Sequence, residues 1–174
     1  MSDKTIIALT GPKGIGKTTI AREIESRDWM DRCILSFADP LRRMIAQIIP
    51  MSLMTDPKEK EVPLDWMGGK SPRQLLQSLG TDWGRDMVSE TIWIDAMRRM
   101  ISDQSFDVII IDDCRFENEA QMVRDMGGIV IGLEREGIAY TGEHQSEMPV
   151  QADAIIDASI IDLAADSIEH LLHK

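Results

Sequence analysis

Apolar residues along this chain fall into two patterns that alternate from one end to the other. Short, mostly apolar runs stand at residues 5–10, 33–37, 108–112, 129–133 and 154–157. Each is too short for a stable helix and rich in β-branched side chains, the mark of strands buried on both faces. Between most of them, apolar residues recur at helical spacing. Ile20, Ala21 and Ile24 do so, as do Trp93, Met97 and Met100 at i, i+4, i+7. Strands alternating with helices predict βαβ units, hence an α/β fold around a parallel sheet covered on both faces. No internal repeat or low-complexity tract interrupts the pattern.

The second and third strands are separated by a stretch too long for one crossover helix. The pattern there predicts a helix over 40–48, a breaker-rich segment over 50–69 with Pro57, Pro63 and Gly68-Gly69, and a helix over 91–101. Between them Ser71-Pro72-Arg73-Gln74 reads as a helix start. Ser71 is the N-cap, Pro72 the first helical residue and Gln74 the reciprocal partner in a capping box. Leu75, Leu76 and Leu79 supply the buried stripe, and Gly80 is placed to end this helix.

At 174 residues the chain suits one domain, 1–174, with a core that needs no staples. No stretch reaches the ~18 apolar residues of a membrane span, and no cationic segment leads into an apolar signal core. A cytoplasmic protein without a membrane partner is the expectation. Cys33 and Cys114 lie too far apart in a parallel sheet to bridge, and neither has zinc-site spacing. The net charge of −11, from 19 basic and 30 acidic residues, argues against a nucleic acid polymer as partner. A small anion remains open if cations converge locally. Past Gly127 the permanent cations are Arg135 and Lys174; most of the others lie near the first turn or between Arg42 and Arg124. Twelve methionines suit an adaptable core or a mobile lid.

The first strand runs into Gly11-Pro12-Lys13-Gly14-Ile15-Gly16-Lys17-Thr18, which fits G-x-x-x-x-G-K-[ST], and a helical pattern follows. Strand, glycine-rich turn and helix together make this a phosphate-binding P-loop. Glycines let backbone N–H groups close around phosphate oxygens, and the helix start adds unpaired donors and a positive dipole end. The expected phosphate contacts are Gly11, Lys13, Gly14, Ile15, Gly16, Lys17, Thr18 and Thr19. Lys17 would reach the β- and γ-phosphates of a nucleoside triphosphate and the Thr18 hydroxyl would ligate Mg²⁺.

Val108-Ile109-Ile110-Ile111-Asp112-Asp113 is a run of apolar residues ending in acid, the Walker B pattern. Asp112 or Asp113 can hold the metal, and periodicity does not choose between them. Arg115 follows at the same sheet edge, either facing an anion or paired with Glu117 or Glu119. Asp39, before Pro40, is either a helix cap or a proton acceptor near the reacting groups. Arg73 and Gln77 share a helix face, with Lys70 just ahead and Arg85 beyond. An Arg can grip a phosphate with two bonds, and a Gln amide can read a base edge. Their plainer reading is a solvated face. Trp83 or Trp93 could stack on a base, with buried packing the plainer role for each. Residues 134–150 form a polar loop with one permanent cation, Arg135, and with Gly137 and Gly142 as hinges. His144 and Glu147 read as a local pair bracing it. An Arg on such a lid can neutralise charge in a phosphoryl-transfer transition state.

At these residues the chain resembles the deoxynucleoside monophosphate kinases of tailed bacteriophages, within the P-loop nucleotide kinases. The likeness is carried by the P-loop, by Ser36-Phe37-Ala38-Asp39-Pro40-Leu41-Arg42, and by the stretch from Ser71-Pro72-Arg73-Gln74 through Gly80-Thr81-Asp82-Trp83-Gly84-Arg85. Asp113-Cys114-Arg115-Phe116-Glu117-Asn118-Glu119-Ala120 and His144-Gln145-Ser146-Glu147 complete it. The P-loop is common to many families; the other stretches are more particular. The resemblance implies a three-layer P-loop kinase fold with five parallel strands in the order 2-3-1-4-5. It also implies a helical substrate-binding insert at about 40–102 and a lid at about 134–150. ATP with Mg²⁺ would be the phosphate donor and a deoxynucleoside 5′-monophosphate the acceptor. The resemblance favours Asp113 over Asp112 as the family acid and makes Arg73, Gln77, Arg85 and Arg115 substrate contacts. Asp39, Arg42, Lys70 and Asp113 are further candidates there, and Arg135 is the lid cation. The segment 155–159 lacks the Asn and Gly that related kinases often place beside adenine.

Two other functions fit the P-loop. A kinase of another small metabolite, such as dephospho-coenzyme A, would be active on that acceptor alone. An ATP-switched binding module would hydrolyse ATP slowly until a partner arrives; the grouping of Lys70, Arg73 and Arg85 speaks against it. A homodimer is compatible with the sequence.

Overall fold

A computed structural model of the chain describes residues 4–27, 31–142 and 144–172. It divides into two compact units, Met1–Ser36 with Met100–Lys174, and Phe37–Arg99. Five strands, β1 (Thr5–Thr10), β2 (Arg32–Leu35), β3 (Val108–Ile111), β4 (Ile129–Glu134) and β5 (Ala154–Asp157), form one parallel sheet in the order β2-β3-β1-β4-β5. The helices are α1 (Lys17–Glu25), α2 (Asp39–Ile45), α3 (Met51–Thr55), α4 (Pro72–Ser78), α5 (Ile92–Ser102), α6 (Glu117–Asp125) and α7 (Ile161–Leu172). No helix among the described residues is long and apolar enough to cross a membrane.

Period-two geometry explains why the strands read as mostly apolar runs. Ile7, Leu9, Val108, Ile110, Ile131 and Leu133 pack with Ile20, Ala21 and Ile24 of α1 and Ala164, Ala165 and Ile168 of α7. The alternate positions Ile6, Ala8, Ile109, Ile111 and Val130 point to the other side and are equally buried, and α6 packs against β1 and β4. Ala8 stands level with Ile111 and Leu35 with Ile111, so the residues that end β1, β2 and β3 arrive together at one rim. That rim is where open α/β sheets present their ligand sites.

The second strand begins one residue earlier than its apolar run, at Arg32, whose side chain is 0% exposed. Its guanidinium meets the Glu169 carboxylate of α7 with two bonds, Nη2 donating to Oε2 at 2.9 Å and Nη1 to Oε1, and Nη1 also reaches the Ile24 carbonyl. A charge at a strand's first position looks like the end of a strand until its partner, far along the chain, is known. Cys33 and Cys114 are both buried free thiols, and burial pushes both up, Cys114 the further.

The unit Phe37–Arg99 has a core of its own, in which Ile45, Ile49 and Met54 pack with Leu64, Met67, Leu75, Leu76 and Leu79. The breaker-rich segment holds α3 and two single 3-10 turns, Glu59–Glu61 and Asp65–Met67; its prolines and glycines frame short turns. The expected capping box is formed, with Ser71 Oγ accepting from Gln74 N–H and Gln74 Oε1 from Ser71 N–H. Gly80, however, does not end α4. The helix widens into a π-helical segment, Leu79–Val88. The reason lies in Trp93, 4% exposed, whose ring presses on Gly84 so closely that an added Cβ would stand 2.5 Å from it. Its indole N–H donates to the Gly80 carbonyl at 2.7 Å. Gly80, the glycine with a terminator's look, instead faces Leu41, 3.2 Å from where its Cβ would stand, and the tightest approach belongs to Gly84. Gly84→Ala is expected to destabilise the fold by about 1–3 kcal/mol through overpacking. Urea unfolding measures this, and a midpoint equal to wild type would show that the indole yields freely.

Candidate phosphate-binding site

The turn after β1 has left-handed or otherwise positive φ at Gly11 (145°), Gly14 (79°) and Gly16 (105°). At Gly11 a Cβ would stand 2.8 Å from the Leu133 carbonyl, so β4 closes that side. At Gly14 and Gly16 nothing lies within 4 Å of where a Cβ would be. Buried Ile15 anchors the turn in the sheet-and-helix core, while Lys13 and Gly14 face outward. Gly16 stands at the N-cap of α1 and makes no side-chain capping bond, so the helix start carries its positive dipole end into the turn. Lys17 Nζ folds back over the loop, donating to the Gly11 carbonyl at 2.6 Å and the Pro12 carbonyl at 2.8 Å. The turn therefore combines open space at Gly14 and Gly16, a helix start and an ammonium held on its carbonyls, a set suited to phosphate.

Beside it, Thr18 Oγ1 donates to Asp112 Oδ2 at 2.6 Å, and Ser36 Oγ donates to Asp112 Oδ1. Successive residues leaving a strand point to opposite sides, so one acid of the pair meets Thr18, and it is Asp112. Ser36 was not foreseen as part of the site. The signal would have been its position one residue past Leu35, level with Asp112 once the β2–β3 register is known. Among the described residues no group of three or more His, Cys, Asp or Glu could hold a metal. A hydroxyl and one carboxylate do match Mg²⁺, which is usually bound through one or two carboxylates together with substrate phosphates.

Arg115 follows two residues after Asp113. Neither acid expected as its partner holds its guanidinium, because Glu119 accepts backbone N–H groups instead, from Arg115 at 2.8 Å and Phe116 at 3.2 Å. The guanidinium reaches the Ser146 carbonyl at 3.4 Å, linking the β3 rim to the loop after β4. Arg135 starts that loop in a tight hairpin, bridged to Ile138 with Gly137 at φ 80°, and Nη2 lies 3.4 Å from the Gly14 carbonyl of the P-loop. Further on, His144 Nδ1 bonds Ser146, Glu147 accepts from the Thr141 hydroxyl, and the two expected partners meet through Glu147 N–H and the His144 carbonyl. The backbone-to-backbone bond replaces the side-chain pair because the 3-10 turn Gln145–Glu147 carries both. A hollow of about 690 Å³ opens beneath, lined by Thr10, Pro12, Arg135, Tyr140, Ile155 and Ser159 among others. Burial pushes the Tyr140 phenol up, and the Ser159 hydroxyl and N–H hold Asp157 below the usual carboxylate range.

In the other unit, Asp39 is the first residue of α2; Ala38 is the N-cap, and Asp39 pairs with Arg42 at 2.9 Å. Arg73 and Gln77 lie one turn apart on α4, both half-buried, and Arg73 meets Glu61 at 3.4 Å. Arg85 Nη1 donates at 3.0 Å to the carbonyl of Gly80, one turn beyond Gln77, so the π-helical turn brings this cation back toward the Arg73–Gln77 face. Lys70 is exposed and joins Leu64 in an isolated bridge ahead of α4. Of the two tryptophans, Trp93 is packed away, while Trp83 is 38% exposed with its ring centroid 6.4 Å from that of Trp93.

Comparison with known proteins follows the same lines. The profile of the deoxynucleotide monophosphate kinase family matches residues 50–174, so the match rests on the part of the chain that follows the widely shared P-loop. A protein of Acanthamoeba polyphaga mimivirus named as a deoxynucleotide monophosphate kinase is 30% identical, over 90% of this chain and 87% of its own length. A deoxynucleoside-5′-monophosphate kinase of Escherichia phage T5 is 34% identical over 49% of this chain and 37% of its own. Shikimate kinase from Aquifex aeolicus superposes with a TM-score of 0.54 at 10% identity, covering 97% and 96% of the two chains, a likeness of fold. Profile, relatives and sheet order agree, and the chain belongs to the deoxynucleotide monophosphate kinase family.

Proposed function

We propose that this kinase takes ATP with Mg²⁺ as donor and a deoxynucleoside 5′-monophosphate as acceptor, releasing ADP and the deoxynucleoside diphosphate. Membership of the family makes the chain a phosphotransferase acting on nucleoside monophosphates. The observation that carries the donor assignment is the Thr18–Asp112 bond of 2.6 Å, a hydroxyl and a carboxylate side by side where the P-loop helix begins. In the reaction, an oxygen of the acceptor phosphate bonds to the γ-phosphorus as the bond to the β–γ bridging oxygen breaks. Bound Mg²⁺ supplies charge neutralisation on the transferring group.

The chain's own residues do the rest. Backbone N–H groups of Gly11, Lys13, Gly14, Ile15, Gly16, Lys17, Thr18 and Thr19 orient the donor phosphates, and Lys17 follows the charge toward the β–γ oxygens. Thr18 and Asp112 hold the metal, with Asp113 beside them facing the acceptor. Arg115 and Arg135 neutralise the transferring phosphoryl group, since a metaphosphate-like transition state needs positioned cations more than a base. Residues 37–99 act as the monophosphate-binding module, with Arg42, Lys70, Arg73, Gln77 and Arg85 as contacts and Asp39 orienting Arg42. Residues 134–150 serve as a lid that excludes water. The acidic net charge supports a small acceptor over a polynucleotide.

A coupled assay for ADP across ribo- and deoxynucleoside monophosphates, with dephospho-coenzyme A as a further acceptor, tests this. Activity is expected with at least one deoxynucleotide and is lost on chelation of Mg²⁺. No ADP release with any nucleoside monophosphate overturns the reading.

A further inference from the structure

We infer that Glu119 is a positioning residue for Arg115, setting that guanidinium at the sheet rim through the backbone of the β3–α6 loop. The inference rests on Arg115 acting in phosphoryl transfer as proposed above. Glu119 sits in the first turn of α6, 1% exposed. A carboxylate so deeply buried costs free energy unless its oxygens are satisfied. Glu119 Oε2 accepts from the N–H of both Arg115 (2.8 Å) and Phe116 (3.2 Å). The N–H just before them, Cys114, donates to the Leu9 carbonyl of β1 at 3.2 Å. Three successive amides are thus tied to fixed acceptors, one in the sheet and two on the helix, which leaves the loop no slack where it turns out Arg115.

The Arg115 side chain is held quite differently. It is half-buried, yet among the described residues no carboxylate lies within ion-pair distance of it; it has the Ser146 carbonyl at 3.4 Å. In a chain with 30 acidic residues, a guanidinium kept clear of acid keeps its donors for an anion. Helix capping alone does not account for the arrangement. Phe116, at the N-cap, has no polar side-chain atom, so the reciprocal bond of a Ser/Thr capping box cannot form. The bond to Arg115 N–H lies one residue outside the helix. Had the guanidinium paired directly with Glu119, its charge would be cancelled; using the backbone instead fixes its origin and preserves its charge.

The test is a double-mutant cycle with Arg115→Ala, read as kcat/KM for the monophosphate. Glu119→Ala is expected to lower kcat/KM roughly 10–100-fold, since misplacement of about 1 Å in such a group costs on that order. In the Arg115→Ala background the further loss should stay under about threefold, because the group being positioned is gone. Equal losses in both backgrounds, or a folded Glu119→Ala enzyme with wild-type kcat/KM, overturn the inference. If the Ala variant does not fold, Glu119→Gln and Glu119→Asp decide it. Gln keeps an acceptor oxygen at the right reach and is expected to retain activity. Asp keeps the charge but falls a methylene short and is expected to lose it; the reverse order overturns the inference. Amide hydrogen exchange at Arg115 and Phe116 reads the brace without catalysis, so a failure of the proposed reaction is separable from a failure of this assignment. Exchange there should quicken in Glu119→Ala or Glu119→Asp relative to the strand amides of β1 and stay near wild type in Glu119→Gln; unchanged exchange in a folded Ala or Asp variant overturns the brace.

Discussion

Lys17→Ala is expected to lower the rate of phosphoryl transfer by roughly 10²–10³-fold, the usual effect of removing one preorganised donor from developing phosphate charge. The ammonium donates to the Gly11 and Pro12 carbonyls at 2.6 and 2.8 Å, so it is already held on the loop and its charge is delivered without a large rearrangement. The variant should also lose most of the thermal stabilisation that saturating nucleotide confers, which is about 2.7 kcal/mol at a hundred times Kd. Lys17→Arg should rescue little. A planar fork cannot replace a compact ammonium whose three N–H bonds diverge between two carbonyls and a phosphate. A coupled assay together with melting curves in ATP and Mg²⁺ checks both. A Lys17→Ala enzyme with wild-type turnover would remove the P-loop from the mechanism.

Glu169→Ala is expected to cost about 3–5 kcal/mol of stability, the range found when one partner of a buried ion pair is removed. Arg32 is 0% exposed at the side chain and Glu169 10%, and the truncation leaves a guanidinium in the core facing the Ile24 carbonyl. For a chain of this size the melting temperature should fall by roughly 6–20 °C, at about 2–4 °C per kcal/mol. Replacing both partners together, Arg32→Met with Glu169→Leu, should recover most of the loss, because the pair's desolvation cost disappears with it. Calorimetry without nucleotide separates this from any effect on the site. A melting point unchanged in Glu169→Ala would show that water reaches Arg32. The surface pairs of Arg124 with Glu117 and Asp153 have the same chemistry but lie in water, and their removal should move the melting point far less.

The two effects live at different depths of the same sheet. Lys17 works at the rim, where the strand ends and the start of α1 bring backbone donors and short polar side chains together. Arg32 sits at the opposite end of its strand, where the chain enters the core. Catalytic loss without melting, and melting without a specific loss at the site, are therefore the expected separate signatures.

Much of this was legible in the chain itself. Five apolar runs, the helical spacing between them, Gly-Lys-Thr after the first run and paired aspartates after the third give an α/β sheet with a phosphate site at its rim. These signals are local: each strand's burial is written in its own residues, and each glycine sits where the next residue must turn. The capping box at Ser71 and Gln74 was equally plain, since both halves lie within four residues.

What required the tertiary structure depends on residues far apart in sequence. Whether Asp112 or Asp113 meets Thr18 depends on which way the strand's pleat faces at its end, and only the register with β1 and β2 fixes that. Gly80 carries a terminator's signature, yet Trp93, thirteen residues on, takes its carbonyl and draws the helix into a π turn. Arg32 and Glu169, 137 residues apart, become one buried pair. Ser36 gains its meaning only beside Asp112. The positions of the elements and of the glycine-rich turn can be read from the chain alone, because hydrophobic period and turn residues act over a few positions. The tertiary structure decided which polar groups share a hydrogen bond, because that depends on side-chain direction and on neighbours brought from distant parts of the chain.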